Sequence, residues 1–168
     1  MKAVVVYESL WGNTATVARA VAEGIGPEAR CLTTDQASPE AIESADLLVA
    51  GAPVLAFSLG GDRIRQAIAR DEADAPQPPD LSHPSLRSWL EGLPKGSGRS
   101  AAFETRIWWS PRGATGDIEA RLTRAGYSPI SKAQKFVVKD KYGPLHEGEL
   151  ERALQWGQEL ATAVASAS

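Results

Sequence analysis

The sequence predicts an α/β domain on a doubly wound sheet of five parallel strands, order 2-1-3-4-5. Three observations lead there. Short apolar runs alternate along the chain with segments whose apolar residues recur every three or four positions, the pattern of strands alternating with helices. The two strongest runs, Ala3–Tyr7 and Leu47–Gly51, are apolar on both faces, as parallel strands covered by helices on each side must be. The 168 residues are 43% hydrophobic and 23% charged, which suits one core inside a polar surface, so a single domain over 1–168 is expected.

The elements follow in order. After Ala3–Tyr7 a turn with a glycine runs from Glu8 to Gly12. Thr14, Val17, Ala18, Val21, Ala22 and Ile25 then recur at helical spacing, with Gly24 and Gly26 expected to stop the helix. A short strand is expected at 29–33, and Pro39 is placed to start a short helix through Ile42. Leu47–Gly51 is the third strand, followed by an apolar loop from Ala52 to Gly61 and a helix through Ile64 and Ile68. Asp71 to Pro84 carries four prolines among acidic and polar residues, and it reads as a loosely packed surface insertion whose removal leaves the fold intact. A helix resumes at Leu86–Leu93. The fourth strand is Arg99–Thr105, centred on Ala101, Ala102 and Phe103. Ala114, Ile118, Leu122 and Ala125 mark a helix, 135–139 the last strand, and Leu150 to Val164 the closing helix.

Strands joined through helices cross over right-handedly into a parallel sheet. In a sheet of this order a ligand sits beyond the carboxyl ends of strands 1 and 3, where the winding reverses. The turn at Glu8–Gly12, the loop at Ala52–Phe57 and the loop after Phe103 are expected to meet there. The first of these is the most informative. Ser9, Leu10, Trp11, Gly12, Asn13 and Thr14 lie between the first strand and first helix, where free N–H groups and a partial positive charge suit a phosphate. Ser9 and Thr14 add hydroxyl donors, Asn13 an amide, and Gly12 a close backbone approach. No Lys or Arg occurs between Lys2 and Arg19, so a monophosphate is expected to be held by dipoles alone. The plainer alternative is a well-capped helix with Asn13 or Thr14 as N-cap.

Tyr7-Glu8-Ser9-Leu10-Trp11-Gly12-Asn13-Thr14 resembles the FMN phosphate loop of the flavodoxin family, a hydroxyl-rich stretch ending in Gly-Asn-Thr after the first strand. Ala102-Phe103-Glu104-Thr105-Arg106, the stretch from Phe136 through Gly143-Pro144-Leu145, and Glu147 to Ala153 resemble a less-studied bacterial and archaeal branch of that family. The resemblance covers nearly the whole chain outside the insertion. Trp11 stands where short-chain flavodoxins usually have threonine, and the chain is less acidic than flavodoxins that serve as soluble carriers. The resemblance implies a flavodoxin-like fold, non-covalent FMN and electron transfer, with redox partner proteins or small quinone-type acceptors as partners.

It also implies roles for the other two loops. The isoalloxazine ring is large, flat and mostly apolar, and Pro53, Val54, Leu55, Ala56 and Phe57 offer it a surface, with Phe57, Trp108 or Trp109 as a flanking aromatic. These residues could equally close the core or, for the tryptophans, mark a partner surface. Glu104, Thr105 and Arg106 stand where a family member contacts the pyrimidine edge and ribityl chain. Arg106 either polarises the ring's carbonyl edge or pairs with Glu104. A peptide in the loop after strand 3 commonly reorients in flavodoxins on reduction. This loop has no glycine before Gly60, so positive φ costs about 1 kcal/mol or more at Leu55 or Ala56. His83 and His146 lack metal-ligand spacing and are expected at the surface. Cys31 is expected to be an ordinary small residue of strand 2.

Other functions fail on particular residues. The net charge of -3 argues against nucleic acid or an anionic membrane. Cys31 is the only cysteine, which excludes an internal disulfide and suits the cytoplasm. The apolar run after Lys2 is too short for a secretion signal or a membrane span. A phosphoacceptor receiver needs an aspartate ending strand 3, where Gly51 stands. A small tyrosine phosphatase needs an arginine six residues after its cysteine, where Ala37 stands. No Gly-x-Ser-x-Gly elbow or Walker lysine occurs. There remain an electron carrier, a flavin-dependent reductase of, for instance, quinones using NAD(P)H, and an interaction module of the same fold without FMN. The absence of a nicotinamide fingerprint favours the carrier.

Overall fold

A computed structural model describes residues 1–71 and 74–167. The strands are β1 (Ala3–Tyr7), β2 (Arg30–Thr33), β3 (Leu47–Leu55), β4 (Ser58–Leu59), β5 (Arg99–Ile107), β6 (Ser128–Pro129) and β7 (Gln134–Val138). The helices are α1 (Asn13–Ile25), α2 (Pro39–Ile42), α3 (Asp62–Asp71), α4 (Leu86–Glu91), α5 (Thr115–Arg124) and α6 (Glu149–Ser166). The parallel path runs β2-β1-β3-β5, and the far edge is shared by β6 and β7. β6 pairs with the start of β5, at Arg99 and Ser100, and β7 with its end, from Phe103 to Ile107. With β6 and β7 counted as one interrupted fifth strand, the order is the expected 2-1-3-4-5. Neighbours in register include Tyr7 beside Gly51, and Gly51 beside Phe103.

Alternation along the strands divides the core into two layers. Ala3, Val5, Leu47, Val49, Ala101 and Phe103 face α1 and α6, where Val17, Val21, Trp156 and Leu160 close over them. Val4, Val6, Leu48, Ala50 and Ala102 face the other way, under Leu86 and Leu90 of α4 and Ile118 and Leu122 of α5. Phe103, Phe136 and Trp156 form an aromatic knot with centroids 6.0 to 6.3 Å apart in tilted or edge-on pairs.

Three expectations need correction. Gly24 does not stop α1, which runs through it to Ile25. A Cβ on Gly24 would strike the Leu154 carbonyl, and one on Gly157 the Val21 carbonyl, so the two glycines let α1 and α6 touch backbone to backbone. The third strand does not end at Gly51: it continues to Leu55, turns back through Ala56 and Phe57, and pairs antiparallel with β4 as Val54–Leu59 and Leu55–Ser58. The two-residue turn has φ of 48° at Ala56 and 61° at Phe57. Such a hairpin demands positive φ at both central positions whatever residues stand there. The described part of the insertion is mostly exposed, as a surface segment should be, but it is tethered at three points. Gln77, Asp80 and His83 hydrogen-bond to the loop after β1, and Glu72 and Ala73, expected in the same loose segment, lie outside the described residues. No helix among the described residues is long and apolar enough to cross a membrane.

Candidate functional site

The carboxyl ends of β1, β3 and β5 open onto one cavity of about 590 Å³. Ser9, Leu10, Trp11, Asn13 and Thr14 form one wall. Pro53, Val54, Leu55, Ala56 and Phe57 form another, with Ile64 and Ile68 of α3 beside them. Thr105, Arg106, Ile107, Trp108 and Trp109 line the side at β5, and Val138 to Lys141 the side at β7.

The loop after β1 turns on itself. Gly12 is the N-cap of α1, at φ 99°, so neither Asn13 nor Thr14 fills that role. The Gly12 amide donates to Ser9 Oγ at 3.1 Å, and the Gly12 carbonyl accepts from the Thr16 amide and hydroxyl. The Ser9 amide donates to His83 Nε2 at 3.1 Å. Among the described residues, the amides of Leu10, Trp11, Asn13, Thr14 and Ala15 meet no hydrogen-bond acceptor. These are the donors a helix N-terminus leaves for an anion. Thr14 and Thr105, both buried, share a hydrogen bond between their hydroxyls at 2.7 Å, which ties the start of α1 to the end of β5.

The apolar wall ends in exposed rings. Phe57 and Trp109 meet edge to face at 5.9 Å, and Trp108 beside them is 74% exposed. Across the cavity Trp11 packs edge-on against Tyr142 at 4.8 Å and donates Nε1 to the Gln77 carbonyl.

The Glu104 side chain turns away from the cavity, and Arg106 reaches both the cavity and Glu104. Successive residues of β5 face opposite sides, so Thr105 meets α1 while Glu104 faces α5. The fully buried Glu104 carboxylate accepts from the Ala114 and Thr115 amides at 2.9 and 3.0 Å and caps α5, which has no side-chain cap of its own. Arg106 Nη1 lies 3.3 Å from Glu104 Oε2, and Nη2 donates to the Ser110 carbonyl. The Glu104 side chain is therefore absent from the cavity wall, while Arg106 both pairs with Glu104 and lines the cavity.

The sequence reading missed two groups. Lys139 and Lys141 line the cavity from the segment after β7, with Asp140 between them and Glu147 3.9 Å from Lys139, so dipoles are not the only charge at the cavity. Only their position after the last strand signals this. The second group is a buried cluster behind the loop. Glu8 Oε2 lies 3.1 Å from Arg65 Nε, Glu8 Oε1 accepts from the Leu86 amide at 2.9 Å, and Arg65 Nη2 donates to the His83 carbonyl at 2.6 Å. Burial pushes the Glu8 carboxyl up to about 7, against the opposing pull of the Leu86 amide and the Arg65 charge. His83 is buried and not a surface residue; His146 is exposed as expected. Cys31 is half-buried on β2, and burial pushes its thiol up to about 11 against the opposing charge of Arg19.

No family model matches the chain, and no curated protein matches it. Solved structures do. A flavodoxin from the domain Archaea superposes with a TM-score of 0.68 at 17% identity, over 98% of this chain and 99% of that one. Oxidised Flavodoxin 1 from Bacillus cereus gives 0.64 at 15%, over 99% and 98%. The metal-soaked flavodiiron core from Synechocystis sp. PCC6803 gives 0.66 at 19%, with this chain spanning 37% of it.

Proposed function

The chain has a flavodoxin-like fold, and from that premise we propose that it holds FMN non-covalently in the cavity at the carboxyl ends of β1, β3 and β5 and passes electrons through it. The observation that carries this reading is the pairing of two features in one cavity. A loop with five unpartnered amides stands at one end, and a wall of apolar and aromatic side chains continues from it. A phosphate suits the first and a flat tricyclic ring the second. Lys139 and Lys141 line the same cavity, together with Asp140, and Lys139 also faces Glu147 at 3.9 Å. FMN supplies the redox chemistry when bound.

The residues present fit the group. Ser9 to Thr14 would hold the phosphate, Pro53 to Phe57 and Trp108 the ring, and the backbone of Glu104 to Arg106 the pyrimidine edge. Redox partner proteins or small quinone-type acceptors would exchange electrons at the open side, and a cytoplasmic location goes with this reading. Titrating the purified apoprotein with FMN, riboflavin and FAD while following flavin fluorescence tests it. Quenching by FMN at lower concentrations than riboflavin or FAD is expected. Equal affinity for riboflavin and FMN would remove the phosphate loop from the account.

A second reading has its own support. Phe57, Trp108 and Trp109 leave an exposed aromatic rim beside the cavity, a platform on which a planar substrate could stack. A flavin-dependent quinone reductase would use it so. Turnover of NADH or NADPH with a quinone by the FMN-loaded protein distinguishes this reading from a carrier.

A further inference from the structure

Three consecutive residues of the loop after β1 are tied to one distant segment. The Ser9 amide donates to His83 Nε2 at 3.1 Å, the Asp80 amide donates to the Leu10 carbonyl at 2.8 Å, and Trp11 Nε1 donates to the Gln77 carbonyl at 3.1 Å. Of these, the contact between Ser9 and His83 is buried on both sides. An imidazole nitrogen accepts a hydrogen bond only when it carries no proton. The contact therefore requires a neutral ring with its proton on Nδ1, the atom that lies 3.8 Å from Asp80 Oδ1. The His83 backbone is fixed as well. Its carbonyl accepts from Arg65, which faces Glu8, the residue directly before Ser9. Both ends of the contact are thus anchored to the same buried cluster.

We infer that His83 is the positioning residue of the anion-binding loop: its neutral Nε2 holds the Ser9 amide, which keeps the neighbouring amides available to a phosphate, and protonation of the ring releases the loop. The inference rests on the proposed FMN site. An imidazolium has two N–H donors and no acceptor, so the Ser9 amide would face another donor in a buried place. The charged groups around the ring are Asp80 on its own segment, Arg65 on α3 and Asp35 in the turn after β2, with Glu8 behind Arg65. Burial holds the ring below the ordinary histidine range. Arg65 acts in the same direction, and Asp80 and Asp35 oppose it.

Charge alone makes the opposite forecast, because a cationic ring beside the loop would attract phosphate. The two are separated by comparing the full-length protein with His83→Gln, which keeps an acceptor that does not titrate, and with His83→Ala, which removes it. FMN is the probe, and taking ratios between variants cancels the titration of its own phosphate. At about pH 8, H83Q is expected to bind within about twofold of wild type, and H83A about tenfold more weakly, the range for a buried amide left unpaired. As pH falls through the His83 titration, followed on its own ring resonances, wild type is expected to lose affinity relative to H83Q. In the ligand-free wild type, the NMR resonances of the Ser9 and Gly12 amides are expected to show a transition that tracks the imidazole resonances of His83; H83Q should lose that transition and keep only the one that follows the neighbouring Glu8 carboxyl. Wild-type affinity in H83A, a wild type that gains on H83Q in acid, or a Ser9 amide indifferent to the His83 titration would each overturn the inference. Should no form bind FMN, the cofactor reading fails, while the amide titration still decides the role of His83. If H83A does not fold, H83Q and the amide titration carry the decision.

Discussion

Arg65→Met should destabilise the protein strongly at alkaline pH and much less in acid. The reason lies in Glu8, whose fully buried carboxyl faces Arg65 at 3.1 Å and rises from 4.5 to about 7 mainly through burial. A carboxyl raised in the folded state binds its proton more tightly there than in the unfolded chain. Its contribution is therefore complete below about pH 4.5 and is lost as pH climbs through about 7. The gap, 7 − 4.5 ≈ 2.5, corresponds to about 3 kcal/mol as an order of magnitude. Arg65 pulls the carboxyl down, so its loss raises Glu8 further and carries the decline past neutrality. At about pH 8.5 the carboxylate would stand buried without its cation, at a cost of about 3 to 5 kcal/mol. At about pH 5 Glu8 is neutral, and what remains is the lost hydrogen bond to the His83 carbonyl, about 1 to 3 kcal/mol. Urea denaturation of wild type, R65M and Glu8→Gln at the two pH values measures this. Glu8→Gln removes the titrating group and should flatten the part of the pH dependence that R65M steepens. Equal destabilisation of R65M at both pH values would refute the reasoning.

Three further outcomes are expected. Gly157→Ala drives a Cβ into the Val21 carbonyl and should cost at least about 1 to 3 kcal/mol, seen as a lower melting temperature; an unchanged melt would mean α1 and α6 can part freely. Glu104→Gln should cost about 1 to 2 kcal/mol in chemical denaturation, since it weakens the cap on α5 and the pairing with Arg106, yet leave FMN affinity unchanged because the carboxylate does not face the cavity. Thr14→Ala should weaken FMN by about 1 to 2 kcal/mol in a fluorescence titration. No change there would confine the Thr14 hydroxyl to its bond with Thr105.

Apolar runs and helical spacing sufficed for the sheet and its order, because burial on both faces leaves a strong mark on composition. The hairpin at Ala56 and Phe57 left no such mark. Turns of this type are normally signalled by Asn-Gly or Asp-Gly, and here pairing of Val54 with Leu59 overrides the local cost of positive φ. The facing of Glu104 was legible in principle. Phe103 is a core residue on the α1 side, so alternation puts Thr105 with it and Glu104 opposite. Gly24 looked like a helix stop because its reason for being glycine lies on α6, far along the chain. His83 gave no local signal either. Its partner is 74 residues away, and a proline-rich acidic segment looks the same in sequence whether it is loose or folded back by three hydrogen bonds.

The most direct test of the FMN site is a map of amide shifts in isotope-labelled full-length protein on adding FMN, compared with adding riboflavin. The account predicts that FMN moves the amides of Leu10, Trp11, Asn13, Thr14 and Ala15 most, that both flavins move those of Val54 to Phe57, and that riboflavin leaves the first group nearly still. Shifts scattered elsewhere, or a first group that responds equally to the flavin without phosphate, would contradict it.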